Sequence, residues 1–125
     1  MALLTHREHE DRPWGSFDRF TLGEASTVKI LHIAAGKEFS LQYHHHRAEF
    51  WRVLSGSGTV TVGEGKRPVA KGDEVEIAEG VEHRLMAGDE DLIVLEIALG
   101  NFDEKDIVRV ADDFGRTTPT STNSG

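Results

Sequence analysis

GKEFSLQYHHHRAEFWRVLSG, residues Gly36–Gly56, holds two short apolar runs, EFSLQYH and EFWRVLS, on either side of a histidine-rich turn. Side chains alternate across a β-strand, so Gln42, His44 and His46 fall on one face while Tyr43 and His45 fall on the other. After a turn at His46–Ala48, Glu49 opens the next strand and returns to the same cavity. Further along, KGDEVEIAEGVEHRLMA (Lys71–Ala87) places a strand, a Glu-Gly turn and His83 in order. An amide and an imidazole two residues apart, a carboxylate across a hairpin and a distant imidazole make a divalent-metal set. Such a set suits Zn, Fe, Co, Ni or Mn and does not choose among them. Taken singly, each histidine reads as a solvated turn residue or a hydrogen-bonded core residue; in register with Glu49 they favour a metal.

Outward from this stretch the chain keeps the same rhythm. SFDRFTL, STVKILHIA, GTVTVG, DEVEIA, EHRLMA and DLIVLEIAL are further strand candidates. Gly23, Gly36, Gly56, Gly63, Gly65, Gly72, Gly80 and Gly88 break them about every eight to twelve residues, as in an all-β sandwich or barrel. In EVEIA, Val75 and Ile77 face a core, with Glu74 and Glu76 toward water. DLIVLEIAL is apolar on both faces, Leu92 and Val94 on one, Ile93, Leu95 and Ile97 on the other, so it needs cover on both sides, from a sheet or a second subunit. Glu96 shares the Leu92–Val94 face, an uncomfortable place for a carboxylate without a task. A helical period is weakly present at Ala2–Glu10 and around Asp103–Val110.

With 125 residues and 38% apolar side chains, the sequence suits one domain. Its 14 Lys and Arg against 22 Asp and Glu leave a formal charge of −8, which argues against nucleic acid. The chain has no cysteine, so a metal must be held by His, carboxylate or amide. No apolar run approaches the ~18 residues of a membrane helix, and the start lacks the pattern of a secretory leader. A cytoplasmic protein with no membrane partner is expected. The polar ending TTPTSTNSG is expected to be a disordered tail, residues 117–125.

The spacing G-x5-Q-x-H-x4-E-x6-G over Gly36–Gly56 is similar to the first cupin motif, with Gln in place of its first His. G-x5-A-x-G-x2-H over Gly72–His83 is similar to the second, with Ala78 where Pro is usual. RPWGSF at Arg12–Phe17, LQYHHHRAEFW at Leu41–Trp51 and DIVRVADDFGR at Asp106–Arg116 resemble the type II phosphomannose isomerase domain. That domain usually forms the C-terminal part of bifunctional mannose-1-phosphate guanylyltransferase/mannose-6-phosphate isomerase enzymes. The resemblance implies an antiparallel double-sheet jelly-roll β-barrel spanning residues 12–116, preceded by an N-terminal arm, residues 1–11. It implies a stand-alone isomerase-type cupin without guanylyltransferase activity, and a homodimer covering the apolar outer face; Trp-Gly after Pro13 itself reads as a turn that packs Trp14 onto that face.

Carried over by position, the cupin metal ligands fall on Gln42, His44, Glu49 and His83, holding one divalent ion, with Zn favoured. His46 offers a second way to complete the set, but Gln42 keeps the motif's gaps. Interconversion of mannose 6-phosphate and fructose 6-phosphate needs an electrophile, a base and cations for the phosphate. Arg47, Arg109 and Arg116, with Lys29 behind them, are the expected phosphate-binding residues. Glu96 is the first candidate for the base and His46 the second; Glu96 serves equally well as a partner orienting a ligand histidine. Phe50, where the family commonly has His, and Ala98 depart from its pattern and bear on the substrate. Two other functions fit the same motifs: a non-catalytic sugar-binding or regulatory cupin, and a metal-dependent cupin of other activity, such as a dioxygenase.

Overall fold

A computed structural model describes residues 3–100, 103 and 105–118. Eleven strands form among them: β1 (Glu8–Arg12), β2 (Gly15–Arg19), β3 (Ser26–Ile33), β4 (Leu41–Tyr43), β5 (Arg47–Ser55), β6 (Ser57–Val62), β7 (Gly65–Ala70), β8 (Glu74–Ile77), β9 (His83–Ala87), β10 (Leu92–Gly100) and β11 (Val108–Ala111). No helix forms among the described residues; the two weakly helical stretches supply β1 and β11 instead. The strands make a four-stranded sheet ordered β3-β10-β5-β8, a five-stranded sheet ordered β11-β4-β9-β6-β7, and a separate β1–β2 hairpin. Every strand pairing is antiparallel.

Alternation dictates what the two sheets bury between them. Trp51 and Val53 from β5, Val75 and Ile77 from β8, Leu85 and Ala87 from β9, and Leu92 and Val94 from β10 form the main core with Val60 and Val69. Each large apolar side chain so buried contributes ~1.5–3 kcal/mol. The polar partners of β8 turn outward as expected, and Glu74 binds both Arg7 and Arg52 there. Gly56 and Gly58 bring β6 close to its neighbours. A Cβ at Gly58 would lie 2.0 Å from the Met86 carbonyl oxygen, and one at Gly56 2.2 Å from that of Asp91.

The second face of β10 is covered from within the chain. Leu4, Phe50 and Ile97 form a second buried cluster, with Leu3, Phe20, Leu95 and Leu99 packed against it. Arg7 fastens this cover, donating to both Glu74 oxygens at 2.8 and 2.6 Å while its guanidinium lies 5.2 Å from the Phe20 ring and 5.4 Å from that of Phe50. The segment expected to be a separate arm is therefore part of the domain, and the boundary at residue 12 falls inside the β1–β2 hairpin. Trp14 does not pack on the barrel. It stands at the hairpin turn, 72% exposed, because a two-residue connection leaves its tip in solvent. Val28 and Ile30 on β3 stay exposed. At the other end, Thr118 exchanges hydrogen bonds with Arg109; residues 119–125 of the expected tail lie outside the described residues.

Leu4→Ala should lower stability by about 2 kcal/mol, the low end for a buried leucine, because a terminal segment relaxes more readily than a central strand. Urea unfolding measures it, and a change within experimental error would mean that the outer cluster adds little to stability.

Candidate metal centre and anion cavity

β4 ends at Tyr43, and the chain then turns sharply. Asp106 fixes the turn: its carboxylate accepts from the backbone N–H groups of His45 and His46 at 2.8 and 2.9 Å. Strand alternation thus stops before His46. His44 is buried, while His46 is exposed and does not line the cavity described below, so the expected sharing of a face by Gln42, His44 and His46 does not hold.

β5 carries Glu49 inward and β9 begins at His83, both almost fully buried beside His44. The ligating atoms of these three residues all lie within 4.8 Å of one another. The Nδ1 atom of His44 lies 2.6 Å from the carbonyl oxygen of Asp106, and that of His83 lies 2.8 Å from the carbonyl oxygen of Val81. A carbonyl only accepts, so each Nδ1 carries the proton and each Nε2 presents a lone pair. Burial, aided by the Arg47 charge, lowers both imidazole pKa values to about 4, keeping them neutral and ready to coordinate. Glu49 Oε1 and His83 Nε2 are buried without a hydrogen-bond partner and lie 3.4 Å apart. Orphaned buried acceptors facing one another are costly unless a cation joins them. Two imidazoles and a carboxylate fit a divalent transition metal.

Gln42 pairs with His83 across the β4–β9 ladder, and its carboxamide oxygen accepts from the Ser40 hydroxyl at 2.6 Å. It lines an adjoining cavity of about 350 Å³ together with Lys29, Leu31, Phe39, Arg47, Glu96, Ile107, Arg109 and Arg116. Two ladders bring these residues together: Lys29 opposes Glu96 across β3–β10, and Arg109 opposes Gln42 across β11–β4. All four expected cationic residues reach this cavity. Arg116 is also held by Asp112, whose carboxylate accepts from Nε at 2.8 Å and Nη2 at 3.2 Å.

Glu96 is 7% exposed and accepts from the Trp51 indole N–H at 3.2 Å. Burial first, and the Glu49 charge second, push its pKa up to about 7, while Lys29 and Arg47 pull the other way. Burial likewise raises that of Glu49. Phe50 sits in the outer cluster, so its departure from the family pattern does not touch the cavity. The residue that the sequence did not single out is Asp106. Its carbonyl sets the tautomer of His44 and its carboxylate shapes the turn; its place in the C-terminal motif was visible, its contacts were not.

Residues 2–112 match the family described as "Mannose-6-phosphate isomerase C-terminal". The chain belongs to this family. Xanthan biosynthesis protein XanB of Xanthomonas campestris pv. campestris is 42% identical over 108 residues, covering 85% of this chain and 23% of the relative. A mannose-1-phosphate guanylyltransferase of Escherichia coli K12 is 36% identical over 115 residues, covering 89% and 24%. The chain thus spans about a quarter of the length of these relatives. Among solved structures, a putative sugar phosphate isomerase from Acidithiobacillus ferrooxidans superposes with a TM-score of 0.56 at 32% identity, covering 62% of this chain and 51% of that one. A cupin-2 domain from Rhodospirillum rubrum gives 0.60 at 27% identity, covering 67% and 61%. This mannose-6-phosphate isomerase-type domain is a cupin, and its motifs in Gly36–Gly56 and Gly72–His83 are the strands and turns that assemble His44, Glu49 and His83.

Proposed function

We propose that this chain is a metal-dependent aldose–ketose isomerase that interconverts mannose 6-phosphate and fructose 6-phosphate. One observation carries the reading: a metal-type cluster adjoins, through Arg47, a small cavity lined by the buried Glu96 carboxyl and several cationic side chains. His44, Glu49 and His83 would hold the ion, with Gln42 at the rim to complete the set. A divalent cation there supplies an electrophile for the oxygens that become negative in the enediol.

The remaining work falls to the chain's own residues. Arg109 and Arg116, with Arg47 and Lys29, offer the phosphate charge-assisted hydrogen bonds at one side of the cavity. Glu96 in its ionised form takes the proton from C2 and returns it to C1, while a proton passes between the O1 and O2 oxygens. Burial raises the Glu96 pKa above the ordinary carboxylate range, which favours a group that can both take up and return the proton. Leu31, Phe39 and Ile107 form the apolar part of the wall and help to exclude water. The guanylyltransferase activity in the name of the E. coli relative is not part of this proposal.

The test is a coupled assay of mannose 6-phosphate to fructose 6-phosphate on protein stripped by a chelator, then reloaded with Zn, Co, Mn or Ni. Turnover should vanish on stripping and return with at least one metal. Binding of the sugar phosphate without turnover under every metal would instead identify a binding cupin.

A further inference from the structure

Arg47 belongs to both halves of the site. It is 7% exposed, and its guanidinium reaches Glu49, His44 and Asp103 among the described residues. Nε donates to Glu49 Oε2 at 3.1 Å, Nη2 to His44 Nε2 at 3.2 Å, and Nη1 to the Asp103 carbonyl oxygen at 3.3 Å. The same side chain lines the cavity.

The His44 contact has a strict consequence. With its Nδ1 proton committed to the Asp106 carbonyl, the imidazole has a single lone pair, on Nε2. A hydrogen bond from Arg47 uses that lone pair, and coordination to a cation would use the same one. The two cannot coexist. Glu49 imposes no such choice, because a carboxylate can accept at one oxygen and coordinate through the other. Charge reinforces the exclusion, since a guanidinium stays protonated and repels a divalent ion at close range. Across the cavity, Arg109 Nε is buried without a hydrogen-bond partner, an independent sign of a missing acceptor on that wall.

We propose that Arg47 couples the two halves: a divalent cation takes the Nε2 lone pair of His44, and the displaced guanidinium turns to an anionic oxygen in the cavity. Cation and phosphate monoester then bind with positive cooperativity. This rests on the reading above, in which the cluster takes a metal and the cavity a phosphate. Linkage requires the effect to be reciprocal, each ligand tightening the other by the same factor.

The experiment titrates Co²⁺, buffered by a chelator of known affinity, into the whole chain with and without saturating methyl phosphate. The reverse titration follows, and both are repeated with Arg47→Leu. Wild type should show a coupling of about tenfold in each direction, within the usual allosteric range. In Arg47→Leu the coupling should fall below about threefold, under that range, while Co²⁺ alone binds at least as tightly as to wild type. The d–d spectrum of bound Co²⁺ reports directly on the His44 nitrogen and should be alike in the two proteins. If wild type binds each ligand but independently of the other, the coupling role of Arg47 is overturned and the isomerase reading stands. Full coupling retained in Arg47→Leu also overturns it, and the wild-type titrations decide the matter even if the variant fails to fold. Failure of wild type to bind Co²⁺ overturns both.

Discussion

Glu49→Gln is expected to weaken Co²⁺ or Zn²⁺ binding by at least about 100-fold, since loss of a group that merely orients a ligand already costs 10–100-fold. Glu49 is the one anion among the three clustered donors; the others are neutral imidazoles. Glutamine keeps the shape but offers a weaker oxygen and an NH₂ that cannot coordinate. It also leaves the buried Arg47 guanidinium without its carboxylate, so stability should fall as well. Isomerase activity should disappear with the metal. Competition against a chromogenic chelator reads the affinity, and circular dichroism shows whether the barrel persists. Unchanged affinity in a folded variant would remove Glu49 from the metal centre.

Glu96→Gln should separate catalysis from stability. If Glu96 moves the proton, kcat should fall by about 10²–10⁴-fold, the usual worth of a positioned acid–base group. Its effect on stability has the opposite sign. The folded-state pKa of about 7 lies above the ordinary 4.5, so the folded protein binds the extra proton between those values. The carboxyl's destabilisation is absent below about pH 4.5, grows as pH rises, and is complete above about pH 7. A shift of that size is on the order of 3 kcal/mol, and it belongs to the pair, since the Glu49 charge raises Glu96 while a hydrogen bond between the two carboxyls holds Glu49 down. Glutamine keeps the oxygen that accepts from Trp51 and carries no charge. With metal held off by a chelator, the variant should melt higher than wild type at pH 8 and nearly level with it at pH 5. A variant that melts lower at pH 8 would show that Glu96 contributes to stability as an ion.

How far these features were visible in the sequence depends on the range of the forces that set them. β5, β8, β9 and β10 were legible because burial on a known face leaves alternating or continuous apolar residues. β7, GKRPVA, carries charges and Pro68 and shows no such pattern; it survives as the outermost strand of its sheet, where a missing N–H is tolerated. β1, EHEDR, is charged throughout and pairs only with β2. His44, Glu49 and His83 could be found from spacing, since a short turn joins β4 to β5 and the Glu-Gly turn after β8 leads directly to His83. His46 could not be placed that way. The carboxylate that bends the chain there comes from Asp106, sixty residues on. The bond between Arg47 and His44 likewise depends on where two side chains end after packing, which no linear spacing encodes.

β10 has neighbours on both edges and cover on both faces, and its even and odd residues serve different ends. Leu92, Val94 and Glu96 belong to the barrel interior, while Leu95, Ile97 and Leu99 belong to the layer beneath the N-terminal segment. The strand is in effect two interleaved messages written on one backbone. Substitutions at even positions edit the chamber, and those at odd positions edit its outer upholstery. Inserting or deleting one residue inside β10 exchanges the messages wholesale, setting Ile97 toward the cavity and Glu96 against Phe50. Evolution and engineers can therefore retune this domain by changing letters in β10, but not by changing its length.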